Sequence, residues 1–173
     1  RLGRLTDPDW LKWLDDNPYA VRIKRAKLEL ASIIADLPPT AKFNIIAYNS
    51  KCTAWQTGLV FANDKHQAAA KKFIDKLEPR GETRTDLAIA KIFRENLEAD
   101  TVYFLSDGYP TNDRGEAIDF NPLLEAVNHL NRFPRLTIQC LGFGEGAAQF
   151  LEPLAEQNAG TYRQIVGPPE LKK

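Results

Sequence analysis

The chain has 173 residues, of which 43% are hydrophobic and 27% charged, and its 23 basic residues balance its 23 acidic residues. This is the composition of one globular domain, and a net charge of zero gives no support to nucleic-acid or anionic-membrane binding. The two cysteines and two histidines lack the spacing of a zinc site. No apolar run approaches the roughly 20 residues that a membrane span needs.

The first residues predict an appendage rather than part of the core. Residues 1–20 carry Trp10 and Trp13 among Asp and Pro, which predicts a short helix over Trp10 to Leu14 within an N-terminal extension or insertion. The domain itself is expected over residues 21–169. Because the chain starts with Arg1 rather than Met, we expect a processed product or a fragment.

Helical and strand-like patterns then alternate. Val21 to Leu37 has apolar residues at helical spacing and is stopped by Pro38 and Pro39. The later elements are predicted in this order: strands Phe43–Tyr48 and Thr53–Phe61, helices Lys65–Leu77 (capped by Asn63 or Asp64) and Leu87–Leu97, strand Thr101–Leu105, helix Pro122–Leu130, strand Leu136–Phe143, helix Gln149–Gln157, strand Thr161–Val166. This alternation predicts an α/β fold with an open, mostly parallel, doubly wound Rossmann-like sheet flanked by helices.

The stretch from Thr101 to Thr111 is the most informative part of the chain. Its first five residues are β-branched, aromatic and apolar, as in a strand buried on both faces, and Ser106, Asp107 and Gly108 end it. An acidic residue at the carboxyl end of such a strand lies where open α/β sheets bind ligands. From these residues alone a turn role for Asp107 is favoured, because Asp-Gly is a common turn pair.

Several ordered segments resemble a von Willebrand factor type A domain. Gly81 to Thr85 resembles the family's GGTxT loop, and Phe104 to Gly108 resembles its fourth strand with the aspartate that ends it. Thr137 to Gly144 resembles a late strand, and Trp55 after the second strand is typical of bacterial members. The resemblance covers most of the chain and implies the same α/β fold.

The resemblance also implies a metal-ion-dependent adhesion site at the carboxyl edge of the sheet. Thr83 and Asp107 match two of its ligand positions, whereas Thr85 and Asp86 are expected only to begin a helix. The implied cofactor is Mg²⁺, or Mn²⁺ or Ca²⁺, because hard cations take oxygen ligands. Arg84, Tyr109 and Asn49 would surround the site and contact a protein partner, whose acidic side chain would complete the coordination.

The remaining ligands of the family come from a DxSxS motif after a central first strand, and this chain contains neither. Either that segment precedes Arg1 or another chain fills the gap. We favour the first explanation, since an open central gap would leave backbone groups unpaired. For these 173 residues alone, metal affinity is expected to be weak or absent.

The leading hypothesis is therefore a non-enzymatic, protein-binding module with an incomplete metal site. The alternative is an α/β hydrolase or phosphotransferase that uses Asp107, and a scaffolding domain without metal is a third possibility. No nucleic-acid partner and no membrane span are expected. The family suggests the cell envelope or secretion, although the chain carries no signal of either.

Overall fold

The computed structural model describes residues 18–78, 81–95, 98–144 and 146–165, with side chains from Val21 onward. The helix predicted within Trp10 to Leu14 lies outside the described residues. The five helices found there are, in chain order, α1 Pro18–Ala35, α2 Asp64–Asp75, α3 Thr85–Glu95, α4 Asn121–Leu130 and α5 Ala148–Glu156. The seven strands found there are β1 Lys42–Phe43, β2 Ile46–Tyr48, β3 Cys52–Ala54, β4 Val60–Phe61, β5 Thr101–Ser106, β6 Thr137–Gly142 and β7 Tyr162–Gln164.

A parallel sheet in the order β5-β6-β7 forms the larger half of the fold. Thr101 pairs with Thr137 and Ser106 with Gly142, so the two long strands pair over their whole length. Parallel strands need crossover helices, and α4 and α5 provide them. The predicted α/β architecture with a parallel sheet is confirmed.

The predicted strand over Phe43–Tyr48 is two strands in different ladders. β1 pairs antiparallel with β4, and β2 pairs antiparallel with β3. Asn44 causes the break: its side-chain carbonyl accepts from the amides of Ile45 at 2.8 Å and Gln56 at 3.1 Å, while its amide donates to the Gln56 carbonyl. Side-chain bonds of this kind replace ladder bonds and turn the backbone.

One helix begins at its predicted cap, and another contains a proline beyond its first turn. Asn63 caps α2 as predicted, accepting from the His66 amide at 3.0 Å. Pro153 is the sixth residue of α5, beyond the first turn in which a helix tolerates proline best. A proline there removes one helical hydrogen bond. The helix tolerates it beside some of the most completely buried side chains of the chain, Phe150, Leu151 and Leu154.

Two separate hydrophobic clusters hold the fold. The larger packs α3, α4 and α5 against β5 and β6, with Phe104, Val127, Ile138 and Phe150 among its buried members. The smaller packs α1 and α2 against β1 and the start of β2, and contains Ile34, Phe43, Ile45, Ala62, Ala70 and Ile74. The β2–β3 ladder lies between them, since Ile45 belongs to the smaller cluster while Tyr48 and Cys52 pack against the larger.

Candidate functional site

Three loops meet at the carboxyl end of β5. The first follows β2 and contains Asn49, the second leads into α3 and contains Thr83, and the third follows β5 and contains Asp107. Parallel and near-parallel strands place such loops at one edge of a sheet. The backbone hydrogen bonds between the loops show which residues that edge brings together.

Thr83 is tied to the loop that carries Asp107. Its amide donates to Thr111 Oγ1 at 2.7 Å, and its carbonyl accepts from the Thr111 amide at 2.9 Å. These bonds use only the backbone of Thr83, so they fix the residue without using its hydroxyl. The sequence predicted only that Thr111 lies in a loop. Its two hydrogen bonds to Thr83 could not be predicted, because the one sequence feature was a hydroxyl close to Asp107.

Asn49 and Arg84 are also brought together, because the Arg84 amide donates to the Asn49 carbonyl at 3.3 Å. The Arg84 side chain is engaged by Asp86, with Nε to Oδ1 at 2.9 Å and a second nitrogen to Oδ2 at 2.6 Å. This bidentate hydrogen bonding raises the pKa of Arg84 and lowers the pKa of Asp86. Arg84 therefore reaches the edge in an ion pair rather than as an isolated cation.

Asp107 lies half-buried beside Gly144. A Cβ on Gly144 would come within 2.3 Å of the Asp107 carbonyl oxygen, so only glycine allows this approach of the two strand ends. Within the described ranges, the Asp107 carboxylate makes no hydrogen bond or ion pair. Among those residues it is thus a carboxylate that a group from outside can engage.

Tyr109 stands on the same loop but turns toward the body of the domain. Its ring stacks on Phe120 with centroids 6.2 Å apart and lies against Gly146. The ring of Tyr109, one of the three residues predicted to contact a partner, is thus packed against the domain.

Thr85 is a residue whose site role the sequence interpretation missed. It is 1% exposed, and its hydroxyl has no hydrogen-bond partner among the described residues. It lies near the Tyr48 phenol: burial raises the pKa of Tyr48, and the hydroxyls of Ser106 and Thr85 oppose that shift. The sequence feature that could have indicated this role of Thr85 is its place as the second threonine of the Gly-x-Thr-x-Thr pattern.

The donor set at this edge does not by itself make a complete cation site. Mg²⁺ requires about six oxygen ligands in octahedral geometry. The edge offers hydroxyls and the carboxylate of Asp107, since Glu82 is bonded to Ser50 and Asp86 to Arg84. No group of three or more His, Cys, Asp or Glu side chains that could hold a metal occurs in the described part of the chain. The residues present therefore do not fit a tightly held cation unless further donors are supplied.

No helix in the described ranges is long and apolar enough to cross a membrane. This finding concerns only those helices. It agrees with the absence of a long apolar run in the sequence.

Comparison with known proteins identifies the same family across most of the chain. The sequence profile of the von Willebrand factor type A domain matches residues 19–164. The chain is 27% identical over 157 residues to inter-alpha-trypsin inhibitor heavy chain H4 of Bos taurus, covering 83% of this chain and 17% of that protein. It is 26% identical over 161 residues to heavy chain H2 of Homo sapiens, covering 86% of this chain and 17% of that protein. The chain thus spans less than a fifth of the length of these curated relatives.

Solved structures show the same fold. A von Willebrand factor type A protein from Catenulispora acidiphila superimposes with a TM-score of 0.73 at 22% identity, over 90% of this chain and 36% of that one. BatB from Bacteroides thetaiotaomicron gives a TM-score of 0.64 at 14% identity, over 83% of this chain and 80% of that one. At these identities the likeness supports the fold and no more.

Proposed function

The chain belongs to the von Willebrand factor type A family, and from that premise we propose that it binds a protein partner at the carboxyl edge of the sheet, around Thr83 and Asp107. Domains of this family generally mediate contacts between proteins. The observation that carries the proposal is the pair of hydrogen bonds between Thr83 and Thr111, which fixes the hydroxyl-bearing loop to the Asp107 loop. A rigid edge with an uncommitted carboxylate is suited to binding rather than turnover.

The contact we propose is completed by a divalent cation when oxygen donors from outside this chain join Asp107 and Thr83. A partner with an exposed acidic side chain fits this arrangement, because the cation would offset the like charge of Asp107. Thr85 supports Tyr48 beneath the edge and is assigned no ligand role. Asn49 and Arg84 form the rim that the partner would touch.

A peptide selection tests this proposal and requires no candidate partner. Peptides displayed on phage are selected against the natural protein in buffer with Mg²⁺, and binding is then measured by surface plasmon resonance. We expect selected peptides to carry an acidic residue and to lose at least about tenfold in affinity on Asp107→Ala or Thr83→Ala, equivalent to about 1.4 kcal/mol. Asp113→Ala, an exposed carboxylate on the same loop, is the matched control.

The result against the proposal is equally specific. Peptides that bind the Asp107→Ala and Thr83→Ala variants as tightly as the natural protein would place partner binding elsewhere. Turnover of phosphate esters with Mg²⁺, lost on Asp107→Ala, would instead support the enzymatic alternative.

A further inference from the structure

The turn that joins α4 to β6, residues 131–136, carries an aromatic side chain that the domain leaves in water. Phe133 is 87% exposed, whereas the other exposed large hydrophobic side chains among the described residues are 42–51% exposed. Its ring makes no aromatic or cation–π contact within the described ranges. The exposed ring of Phe61, by contrast, lies under the Lys42 ammonium, which is 5.3 Å from the ring centroid. A single exposed apolar residue is common on protein surfaces, so the surroundings of Phe133 decide whether it has a role.

A buried residue closes this turn and holds it in one conformation. The Asn131 side-chain oxygen accepts from the Leu136 amide at 2.7 Å, and its nitrogen donates to the Leu136 carbonyl at 2.8 Å. The same nitrogen donates to Asn158 Oδ1 at 2.7 Å. Asn131 and Leu136 are the two ends of the turn, and both are buried. Phe133 is therefore presented by a closed and anchored turn rather than by a loose loop.

The backbone of this turn is strained at Arg135. Its φ is 57°, in the left-handed region, and its amide donates to the Asn131 carbonyl at 3.0 Å. Glycine adopts this conformation without the steric cost that a residue with a Cβ meets. A strained residue of another type is a reason to look for a role of its side chain. At Arg135 that side chain is an exposed guanidinium.

Two uncompensated positive charges flank Phe133 in the sequence. Arg132 and Arg135 are both exposed, and neither guanidinium makes a hydrogen bond or ion pair with any residue that the structure describes. Arg163, by contrast, is paired with Glu29 at 2.8 Å. An arginine side chain has five N–H donors and stays protonated in proteins. The turn therefore offers two guanidinium groups to carboxylates of another molecule.

Leu130 adds a second apolar group. It is 43% exposed and is the last residue of α4. The Arg132 amide donates to the His129 carbonyl at 3.4 Å, so the chain continues in a helical turn beyond that residue. Residues three apart in a helical turn lie on one side, which places Leu130 on the side of Phe133. We use the name Phe133 surface for Leu130, Arg132, Phe133 and Arg135.

The Phe133 surface lies at the opposite edge of the sheet from Asp107. The turn ends where β6 begins, at Thr137, and β6 reaches the carboxyl edge at Gly142, which pairs with Ser106. The length of β6, at about 3.3 Å per residue, separates the two edges by about 17 Å. A partner of the Phe133 surface therefore contacts a different part of the molecule from the edge around Asp107.

The residue types of the Phe133 surface are those that dominate binding between proteins. Arginine and aromatic side chains are enriched in protein interfaces and among the residues that contribute most to affinity. Guanidinium groups recognise carboxylates through paired, charge-assisted hydrogen bonds, while the exposed ring needs an apolar cover. Charge complementarity therefore selects a partner that carries acidic side chains next to an apolar one.

The small size of the surface favours a short segment as the partner. Four side chains do not form the roughly 800 Å² per partner of a standard protein interface. An anionic membrane is disfavoured, because exposed Asp100 lies at the same edge, where its carbonyl accepts from the Thr137 amide at 2.8 Å. A flat anionic bilayer attracts clusters of several basic residues, whereas this chain has a net charge of zero.

We propose that the Phe133 surface binds a short acidic segment of another protein. Carboxylates of that segment pair with Arg132 and Arg135, and an apolar side chain between them packs on Phe133 and Leu130. Arg135 keeps its strained conformation because its side chain serves binding rather than the fold. This contact does not use Asp107, so it is independent of the binding proposed at the carboxyl edge.

A depleted peptide selection tests the proposal. Peptides displayed on phage are first removed by binding to the Phe133→Ser variant, and those left are selected on the unsubstituted chain. We expect the selected peptides to be rich in Asp and Glu and to contain an apolar residue. Surface plasmon resonance should then show at least about a tenfold loss of affinity on Arg132→Glu, and weaker binding as the salt concentration rises. Arg114→Glu, at an exposed arginine after β5, is the matched control and should leave the affinity unchanged.

Several outcomes of this selection would overturn the proposal. They are recovery of no peptide after depletion, selected peptides without acidic residues, and equal affinity of the Arg132→Glu and Arg114→Glu variants for the peptides. Vesicles of equal parts phosphatidylcholine and phosphatidylserine test the membrane alternative. Vesicle binding that is lost on Phe133→Ser would also overturn the proposal, in favour of a membrane contact.

Thermal melting separates a binding role from a structural one. Phe133→Ser should melt at the same temperature as the unsubstituted chain, because the ring is exposed. Arg135→Gly should melt no lower than the unsubstituted chain, because glycine relieves the left-handed strain, yet bind the selected peptides at least about tenfold more weakly. A clear fall in the melting temperature of Phe133→Ser, or full peptide affinity of Arg135→Gly, would contradict the proposal.

Failure of this proposal is distinguishable from failure of the site at the carboxyl edge. Asp107→Ala should leave the binding of these peptides unchanged, and Phe133→Ser should leave binding at the carboxyl edge unchanged. Loss of these peptides on Asp107→Ala would contradict a separate surface at Phe133.

Discussion

The half of the molecule built on β5, β6 and β7 and the half built on the two short ladders use similar apolar residues but bury them differently. Among the described residues, the first half has fourteen buried members in one cluster and the second has six. The two long parallel strands of the first half pair over six residues, whereas the ladders of the second pair over two or three. Stability should therefore be concentrated in the first half, while the second depends on what lies against it.

The two halves also differ in their polar groups. Buried Asn131 and Asn158 hydrogen bond to each other at 2.7 Å, and Asn131 also contacts the Leu136 backbone through two bonds. In the second half, Asn44 binds backbone at the surface of a ladder instead. Buried, fully bonded amides fix one packing arrangement, which suits the larger half as the rigid support of the carboxyl edge.

The largest expected effect is at Phe150, which is 0% exposed in the larger cluster. Phe150→Ala should cost about 3–5 kcal/mol of unfolding free energy, because it removes a large side chain and leaves a cavity. Phe43→Ala in the smaller cluster is the counterpart, and we expect a smaller loss there because Phe43 is 8% exposed and its cluster has six buried members among the described residues. Urea unfolding followed by circular dichroism measures both, and equal losses would remove the proposed difference between the halves.

Asn131→Ala should have the next largest effect. It removes the side-chain partner of the buried Leu136 amide and carbonyl and of the Asn158 side-chain oxygen, at a cost of about 1–3 kcal/mol. Asn128→Ala is the matched control on the same helix, since Asn128 is exposed and its side chain bonds Gln157 at the surface. If both variants melted at the same temperature, the buried amide network would not stabilise the larger half.

Tyr48→Phe tests the contact that crosses the boundary between the halves. It removes the hydroxyl that donates to the Leu105 carbonyl, so about 1 kcal/mol of stability should be lost. Thr53→Val, on the exposed residue of the adjacent strand, is the control. An unchanged melting temperature for Tyr48→Phe would show that this bond does not hold the halves together.

The smallest effect on stability at neutral pH is expected at the two cysteines. Burial raises the pKa of Cys140, in the larger half, to about 12 from an ordinary value of 9.0. A raised pKa of this kind leaves stability intact below about pH 9, and stability is lost as the pH rises from there toward 12 because only the unfolded chain ionises readily. Thermal melts across this range should show the loss, and Cys140→Ala should reduce it, with the remainder due to Tyr48, whose pKa burial also raises.

The rate of thiol labelling measures the difference in burial between the two cysteines. Cys52 is the first residue of β3 and is partly buried, and burial raises its pKa as well. We expect iodoacetamide to modify Cys52 in the folded protein and Cys140 only after unfolding. Prompt modification of Cys140 would contradict the tight packing assigned to the larger half.

The long periodic and apolar patterns predicted most of the fold. The strand from Thr101 and the amphipathic helices were visible because their burial repeats along the chain, and Asn63 was visible as a cap. Asn44 was not recognised as a strand break, since its effect depends on Gln56 twelve residues later. Pro153 lies inside α5, beside the fully buried Phe150, although a proline there removes one helical hydrogen bond.

The candidate site was predictable only in part. Thr83 and Asp107 followed from a motif resemblance, and their roles as ligands stay predictions. The hydrogen bonds between Thr111 and Thr83, and the burial of the Thr85 hydroxyl, depend on contacts between loops, which no local sequence pattern predicts.

Calorimetric titration of the 173-residue chain with Mg²⁺ tests most directly the claim that its carboxyl edge holds only part of a cation site. We predict no binding in the micromolar range, since the described residues contain no group of three or more potential ligand side chains and Mg²⁺ needs several oxygen ligands besides Asp107. Micromolar binding by this polypeptide that is lost on Asp107→Ala would contradict that claim, because the chain alone would then supply a complete site.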